Sequence, residues 1–261
     1  MNDTQRVYLL RLLIGITLLL LWQYGSYLPV VGKFPLFDSF VVSKPTDIAR
    51  SLWLLFVHQG FGVHVGLTLG ATAAALVGGI LSGMLLAFIT YNFLTLRRIL
   101  APFVQFFNTL PRIVIAPYLL IAFGTGVMPR ILMAASFIFF LVYFNVLFGL
   151  TRISQTQLRQ VQMLGGNRFY EFLTLQLPIG FAWTIRAFPH AVAYGFVGTV
   201  FQEFVGGDSG VGSVMIYGLN ELNAATVMAT VVTLSALGWA LFELGNWVGR
   251  SFTPWRKELG A

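Results

Sequence analysis

Six long apolar runs, separated by shorter polar segments, dominate the chain. They cover residues 7–28, 65–89, 100–123, 131–150, 178–204 and 225–248. Each run provides roughly the 20 apolar residues that an α-helix needs to cross a hydrocarbon core of about 30 Å. The pattern therefore predicts an all-α integral membrane protein with about six transmembrane helices.

The first run has two competing interpretations. It follows Arg6 and contains Arg11, and a basic start before a leucine-rich stretch is also typical of a cleaved signal peptide. However, the run continues into Trp22 and Tyr24, which make a poor cleavage site and a good aromatic anchor at the membrane interface. We therefore expect a retained first helix.

The third run contains Pro111 and Pro117. Proline removes a backbone hydrogen bond and clashes with the preceding turn of a helix. This span is therefore expected to be broken or strongly kinked.

Small residues recur at every fourth position in the second and fifth runs. At that spacing they share one helix face and let two helices approach closely in lipid, so both stripes predict packing surfaces. The stripes are Gly66, Gly70, Ala74, Gly78 and Ser82 in the second run, and Ala187, Ala191, Gly195 and Thr199 in the fifth.

Composition agrees with insertion into a membrane. The 261 residues are 57% hydrophobic and only 10% charged, which is too little charge to cover a soluble domain. The chain has no Cys, so disulfides and thiolate metal sites are excluded, and we expect no metal site. The formal net charge is +7, but the basic residues lie between apolar runs rather than in one patch, so we expect no nucleic-acid binding.

Those basic residues predict the orientation. With the N-terminus in the cytoplasm, ten of them fall inside and four outside, and such a bias predicts that both termini are cytoplasmic. The inside residues are Arg6, Arg11, Arg97, Arg98, Arg152, Arg159, Arg168, Arg250, Arg256 and Lys257, and the outside residues are Lys33, Lys44, Arg50 and Arg130.

The longest polar segment on the predicted inside is residues 151–177. Apolar residues fall near helical spacing on either side of Gly165 and Gly166, which indicates two short helices broken at the glycine pair. An ordinary interfacial loop, with its aromatic residues at the headgroups, fits the spacing equally well.

This loop resembles that of the permease subunits of bacterial ATP-binding-cassette importers. In that family, Glu-Ala-Ala, three residues and a glycine precede a Leu-Pro pair. Gly165 and Pro178 have the family's spacing, and residues 166–168 read Gly-Asn-Arg where Ala-Ser-Arg is common. The Glu-Ala-Ala itself is replaced by Arg-Gln-Val at residues 159–161.

Further segments narrow the resemblance to the nitrate, sulfonate and taurine subfamily. They are residues 43–48 ahead of the second helix, residues 110–112 with 116–117 and 123–124 in the broken third helix, Glu203 followed by residues 210–212, and the ending 252–255. One departure is that the family's Gly-Leu-Arg in the fifth helix reads Ala-Phe-Pro at residues 187–189, so the role of that arginine does not carry over to Pro189.

The resemblance implies the fold of a type I importer permease with a cytoplasmic coupling helix, located in the bacterial cytoplasmic (inner) membrane. It divides the chain into an N-terminal helix and external segment (residues 1–60), a permease core (61–250) and a cytoplasmic tail (251–261). The loop residues expected to dock on the ATPase are Met163, Leu164, Gly165, Gly166, Asn167, Arg168, Phe169 and Glu171, with Pro178 following.

The implied partners are a separate ATPase subunit, a periplasmic or lipid-anchored substrate-binding protein, a second permease copy in a homodimer, and membrane lipid. ATP and Mg²⁺ belong to the ATPase subunit, because this chain has no glycine-rich phosphate-binding loop; we expect no cofactor here and no enzyme activity. The implied substrate is a small anion or organic solute such as nitrate, a sulfonate, taurine or a vitamin precursor.

Polar residues within the spans are the candidates for the translocation pathway, because polar groups are costly in lipid. They are Arg112, Arg186, His190, Tyr194 and Glu203. Each has an alternative role: Arg112 can pair with a headgroup, Arg186 can extend to the cytoplasmic interface, His190 can be a buried structural histidine, and Glu203 can form a structural ion pair. Pro189 predicts a kink near Arg186.

Two functions of other classes compete with the importer. A stand-alone secondary transporter or channel requires intramembrane carboxylates and usually an internal repeat, and Glu203 is the one such carboxylate in mid-chain, with no clear repeat. An assembly protein without transport activity is the second rival. Copurification of an ATPase distinguishes the importer from both.

Overall fold

The computed structural model describes residues 3–24 and 42–252, and every regular element in those ranges is helical. Several predictions fall outside the described residues. They concern residues 25–28 of the first run, the basic residues Lys33, Arg256 and Lys257, and the tail from residue 253. The helices are α1 (Asp3–Tyr24), α2 (Pro45–His58), α3 (Phe61–Asn92), α4 (Leu94–Thr109), α5 (Arg112–Phe123), α6 (Val127–Thr151), α7 (Gln155–Met163), α8 (Arg168–Glu171), α9 (Leu177–Gly206), α10 (Val211–Asn220) and α11 (Ala224–Phe252). A π-helical segment, Phe172–Gln176, joins α8 to α9.

Four helices in the described ranges are long and apolar enough to cross a membrane, namely α1, α3, α6 and α11. The pair α4 and α5 qualifies as a fifth span if it is counted as one, with a bend of 92° between its halves. α9 has 30 residues, which is long enough for a crossing, but its polar residues keep it outside the set defined by composition. The sequence predicts six crossings. Composition supports four or five of them in the described ranges, and α9 is the candidate for the remaining crossing.

The third run is broken, as its prolines predict. α4 ends at Thr109, and α5 begins at Arg112 after the extended residues Leu110 and Pro111. Pro117 lies inside α5 and does not end it. The break therefore belongs to Pro111 alone, and the run is not one straight helix.

The core is formed by α3, α6 and α9, which pack against one another. Ile138, Val142 and Val146 of α6 are completely buried in it. A Cβ atom on Gly83 of α3 would lie 2.7 Å from the carbonyl oxygen of Phe139 in α6. Glycine is therefore required for this close approach of two helices.

The packing surface of α3 differs from the one that the glycine stripe predicts. Gly66, Gly70 and Gly78 are exposed, and a Cβ atom added to any of them would meet nothing within 4 Å. The prediction that this stripe packs is therefore wrong for the single chain. The buried face is the adjacent one, which carries small residues at a similar spacing: Thr68, Thr72, Ala75, Gly79, Gly83 and Ala87.

The small-residue stripe of α9, in contrast, is buried as predicted. Ala187, Ala191, Gly195 and Thr199 all lie in the core. A Cβ atom on Gly195 would lie 2.8 Å from Cδ1 of Ile138, and the Thr72 hydroxyl donates a hydrogen bond of 3.1 Å to that of Thr199. This stripe joins α9 to both α6 and α3.

The remaining helices surround this core. A second apolar cluster joins α2, α10 and α11 to the start of α3 around Phe61 and Val211. α1 is almost entirely exposed and is attached near its end, where Nε1 of Trp22 donates a hydrogen bond of 3.1 Å to the carbonyl oxygen of Ser43. Exposed apolar helices of this kind are typical of a lipid-facing surface.

Candidate functional site

The loop between α6 and α9 folds as two short helices, as the glycine pair predicts. Ser154 caps α7 by accepting a hydrogen bond from the backbone N–H of Gln157, whose side chain in turn accepts one from the N–H of Ser154. Asn167 caps α8 by accepting a hydrogen bond of 2.8 Å from the N–H of Tyr170. The reciprocal cap of α7 and the single cap of α8 define where each helix begins.

The two glycines between α7 and α8 are needed for different reasons. Gly165 has φ +76°, a left-handed conformation that costs other residues about 1–2 kcal/mol. Gly166 has an ordinary φ but no room, because a Cβ atom there would lie 2.8 Å from both Val161 and Tyr170. Together they permit the sharp reversal between α7 and α8.

Large apolar side chains cover the outer surface of this loop. Met163 is 84% exposed, Leu164 81% and Phe169 68%. With Tyr170 and Leu173, the last two line an open groove. An exposed apolar patch of this kind marks a surface that contacts either another protein or the membrane.

A buried polar network fastens the loop to the core. Gln176, which is 2% exposed, donates hydrogen bonds from Nε2 to Oε1 of Glu171 at 3.0 Å and to Oδ1 of Asn92 at 3.1 Å. Asn92 donates in return to Oε1 of Gln176 at 2.8 Å. Sequence reasoning did not identify Asn92 or Gln176, because they are 84 residues apart and belong to no local pattern.

A second polar cluster lies at the opposite ends of α3 and α9, centred on Glu203. Its carboxylate is 1% exposed and accepts hydrogen bonds from the Thr68 hydroxyl at 2.8 Å and the backbone N–H of Gly212 at 3.0 Å. Nη1 of Arg130 lies 4.0 Å from Oε1 of Glu203. Glu203 therefore has an ion pair and hydrogen bonds inside the protein.

Arg130 was counted above as a charge in an outside loop, but it lies within α6 and is only 2% exposed. Its Nη2 atom donates to Asp208 at 2.5 Å and to the hydroxyl of Ser209 at 2.8 Å. Gly210 completes the turn with φ +105°, where a Cβ atom would collide with the carboxylate of Glu203. The cluster thus holds the α9–α10 turn against α6 and α3.

Three pathway candidates share one open face of α9. Arg186, His190 and Tyr194 are all exposed, and the guanidinium of Arg186 lies 5.1 Å from the ring centroid of Trp183. The alternative of a buried structural histidine is therefore wrong for His190 in the single chain. The centroid of its ring lies 6.2 Å from that of Phe242, with the two rings nearly perpendicular. α9 continues as one helix through Pro189, so the helix does not end near Arg186, and the kink there stays a prediction.

Arg112 lies on a different element, at the bend between α4 and α5. Its guanidinium is 4.4 Å from the ring centroid of Phe137 and 5.3 Å from that of Phe140, both in α6. Nη2 donates a hydrogen bond of 3.1 Å to Oδ1 of Asn108, while Nε is buried and has no hydrogen-bond partner among the described residues. The pathway candidates therefore fall into three places: the open face of α9, the buried cluster of Glu203, and the bend.

Comparison with known proteins identifies the family of the chain. The chain is 25% identical over 248 residues to the taurine transport system permease protein TauC of Escherichia coli, covering 93% of this chain and 88% of that protein. It is 22% identical over 238 residues to the riboflavin transport system permease protein RibX of Chloroflexus aurantiacus, covering 91% of this chain and 87% of that protein. A solved structure of the methionine ABC transporter MetNI in an inward-facing conformation shares the fold, with a TM-score of 0.56 and 18% identity over 78% of this chain and 95% of that chain. Residues 79–258 match the family described as the binding-protein-dependent transport system inner membrane component, and the chain belongs to that family.

Proposed function

We propose that this chain is the membrane-spanning subunit of an ATP-driven importer, in which it forms the translocation pathway and couples it to a separate ATPase subunit. The observation that carries the proposal is the α7–α8 loop, because it combines exposed apolar side chains with a rigid attachment to the core. Met163, Leu164 and Phe169 offer a docking surface. Gln176 and Asn92 connect that surface to α9 and α3.

This attachment provides a route for mechanical coupling. A displacement of the loop by the ATPase would act on α9 through the π-helical segment and on α3 through Asn92. Because α3, α6 and α9 pack through glycines and other small residues, they would move as one body. Rocking of two such bodies is an ordinary form of alternating access.

The proposed assembly contains two copies of this chain, two ATPase subunits that bind ATP and Mg²⁺, and a substrate-binding protein outside. Both termini and the α7–α8 loop would then face the cytoplasm of a bacterial cell. In a homodimer, the open face of α9 would lie opposite the second copy across the pathway. This face carries Arg186, His190 and Tyr194. This chain itself would carry no cofactor and catalyse no reaction.

The proposed substrate is a small anion or organic solute. Relatives are named for taurine and for riboflavin transport, and taurine is a small zwitterion whereas riboflavin is a much larger uncharged molecule. Specificity in such an assembly would reside largely in the binding protein, with the permease contributing general features of charge and width.

Copurification tests the proposal. The tagged chain is expressed in the cells that it comes from, extracted in mild detergent and captured. Wild-type protein is expected to retain the ATPase, whereas Met163→Asp should lose most of it, because a carboxylate would have to be buried at the docking surface. Met128→Asp is the matched control, since Met128 is also an exposed methionine but lies at the opposite end of α6.

Two results would contradict the proposal. Wild-type protein that captures no ATPase would favour a stand-alone transporter or channel. Equal capture by the Met163 and Met128 variants would remove the α7–α8 loop as the docking surface, even if the ATPase binds elsewhere.

A further inference from the structure

The guanidinium of Arg112 lies deep within the membrane-spanning part of the molecule. It rests on the rings of Phe137 and Phe140, which are in the middle of the 25-residue helix α6. At 1.5 Å per residue, Phe137 is about 15 Å from the first residue of α6 and about 21 Å from the last. An arginine side chain cannot bridge either distance, so Arg112 does not reach the headgroups from this position.

The charge of Arg112 has no counter-ion among the described residues. Among the described residues no carboxylate lies within 4.0 Å of it, in contrast to Arg130, which has both Asp208 and Glu203. Asn108 occupies one of the five N–H donors of the guanidinium, and the buried Nε has no partner. A charged group held at this depth is costly, and such groups usually mark a pathway for substrate or ions.

The start of α5 adds a second source of positive potential at the same place. α5 begins at Arg112 after the 92° bend, its N-cap residue is Pro111, and no side chain caps it. Backbone N–H groups at the start of a helix give that end a partial positive charge. A half-helix that begins inside a membrane presents this charge to bound anions.

We infer that Arg112 and the first turn of α5 form a binding site for an oxyanion group on the translocation pathway. The inference rests on the proposed importer function and assigns its substrate class: solutes that carry a sulfonate, carboxylate, phosphate or similar group. Phe137 and Phe140 hold the planar guanidinium, and Asn108 fixes its rotation. Nη1 and the second N–H of Nη2 then remain for two parallel hydrogen bonds to two oxygens of the anion.

Thermal unfolding of the purified full chain in a neutral maltoside detergent tests the site without knowledge of the natural substrate. The probes are sulfate, nitrate, acetate and taurine, each compared with chloride at the same ionic strength. A separate arm adds phosphatidylglycerol, whose phosphate has the same chemistry. The variants are Arg112→Gln and Arg112→Lys, and the matched control is Arg152→Gln, because Arg152 also lies over a phenylalanine ring, at 4.5 Å from Phe148, but is exposed at the end of α6.

At least one free oxyanion is expected to raise the unfolding temperature of the wild-type chain and of Arg152→Gln. Arg112→Gln should lose this increment, and Arg112→Lys should bind about tenfold more weakly, since lysine keeps the charge but not the paired donors. A purely structural Arg112 would instead lower the starting temperature and leave the increment intact.

Three outcomes would overturn the site: no free oxyanion stabilises the wild-type chain, Arg112→Gln keeps the increment, or phosphatidylglycerol alone produces it. If Arg112→Gln does not fold, the oxyanion titrations of the wild-type chain and of Arg112→Lys still test the site, because equal affinities would overturn it. Copurification of the ATPase with wild-type and Arg112→Gln protein separates this result from the importer proposal, because loss of the anion site leaves ATPase capture unchanged.

Discussion

Two glycines of α3 lie five residues apart and face different surroundings, so the same substitution at each should have opposite effects. Gly83 packs against the backbone of α6, and a Cβ atom there would lie 2.7 Å from the carbonyl oxygen of Phe139 and 3.1 Å from Cβ of Val142. Gly78 is exposed, and an added Cβ atom would meet nothing within 4 Å. Gly83→Ala should therefore destabilise the chain, and Gly78→Ala should not.

The expected magnitude follows from two opposing contributions. Forcing a methyl group into a packed interface costs about 1–3 kcal/mol, and the neighbour of Gly83 is backbone that cannot rotate away. Replacing glycine by alanine inside a helix stabilises it by about 0.5–1 kcal/mol. The net change in the free energy of unfolding is about 0.5–2 kcal/mol of destabilisation for Gly83→Ala and a gain of up to about 1 kcal/mol for Gly78→Ala.

Unfolding by heat or by SDS, followed by circular dichroism on both purified variants, measures this difference. For a chain of this size, each kcal/mol corresponds to a shift of about 2–4 °C in the unfolding temperature. Equal destabilisation by both substitutions would refute the assignment of the buried face of α3. Destabilisation by Gly78→Ala alone would mean that the exposed glycine stripe packs against another copy or another subunit.

Three further substitution tests address the polar clusters and the orientation. Glu203→Gln should destabilise the chain by about 1–3 kcal/mol, because it removes one carboxylate of a buried cluster and leaves Arg130 with Asp208 alone. Glu243→Gln removes an exposed ion pair and should change stability by less than about 1 kcal/mol, and chemical unfolding of both variants measures the difference. Gln176→Leu should speed hydrogen exchange in α8, since the partners of its amide lose their hydrogen bonds; exchange equal to that of wild type would exclude an anchoring role. A cysteine at Gln155 should react only with membrane-permeant reagents in intact cells and one at Gln59 also with impermeant reagents; the reverse pattern would invert the orientation.

Much of the fold could be predicted from local sequence. Apolar length predicts the crossing helices, the fixed φ of Pro111 predicts the break between α4 and α5, and Gly165 predicts the reversal in the loop. The buried stripe of α9 was also identified, because its small residues recur on one face. Each of these features depends only on residues that lie close together in the sequence.

The candidate sites could be predicted from the sequence only in part. Arg112 was recognised as an intramembrane charge, but its lack of a carboxylate partner among the described residues depends on which helices surround it. The position of Arg130 just before an apolar run predicts a loop charge, whereas the structure places it inside α6. The pairing of Asn92 with Gln176 joins positions that no spacing rule connects.

The sequence by itself determined where the long apolar helices form, where Pro111 breaks one of them and which residues share a helix face, because these depend on backbone hydrogen bonding and on a period of about 3.6 residues. It did not determine which face is buried. α3 has small residues on two adjacent faces, and its Gly66–Gly78 side satisfies the pattern for close packing as well as its Gly79–Gly83 side does. Only the tertiary structure decided between them, since a face becomes a core when α6 and α9 dock on it, and that contact depends on residues far away in the chain.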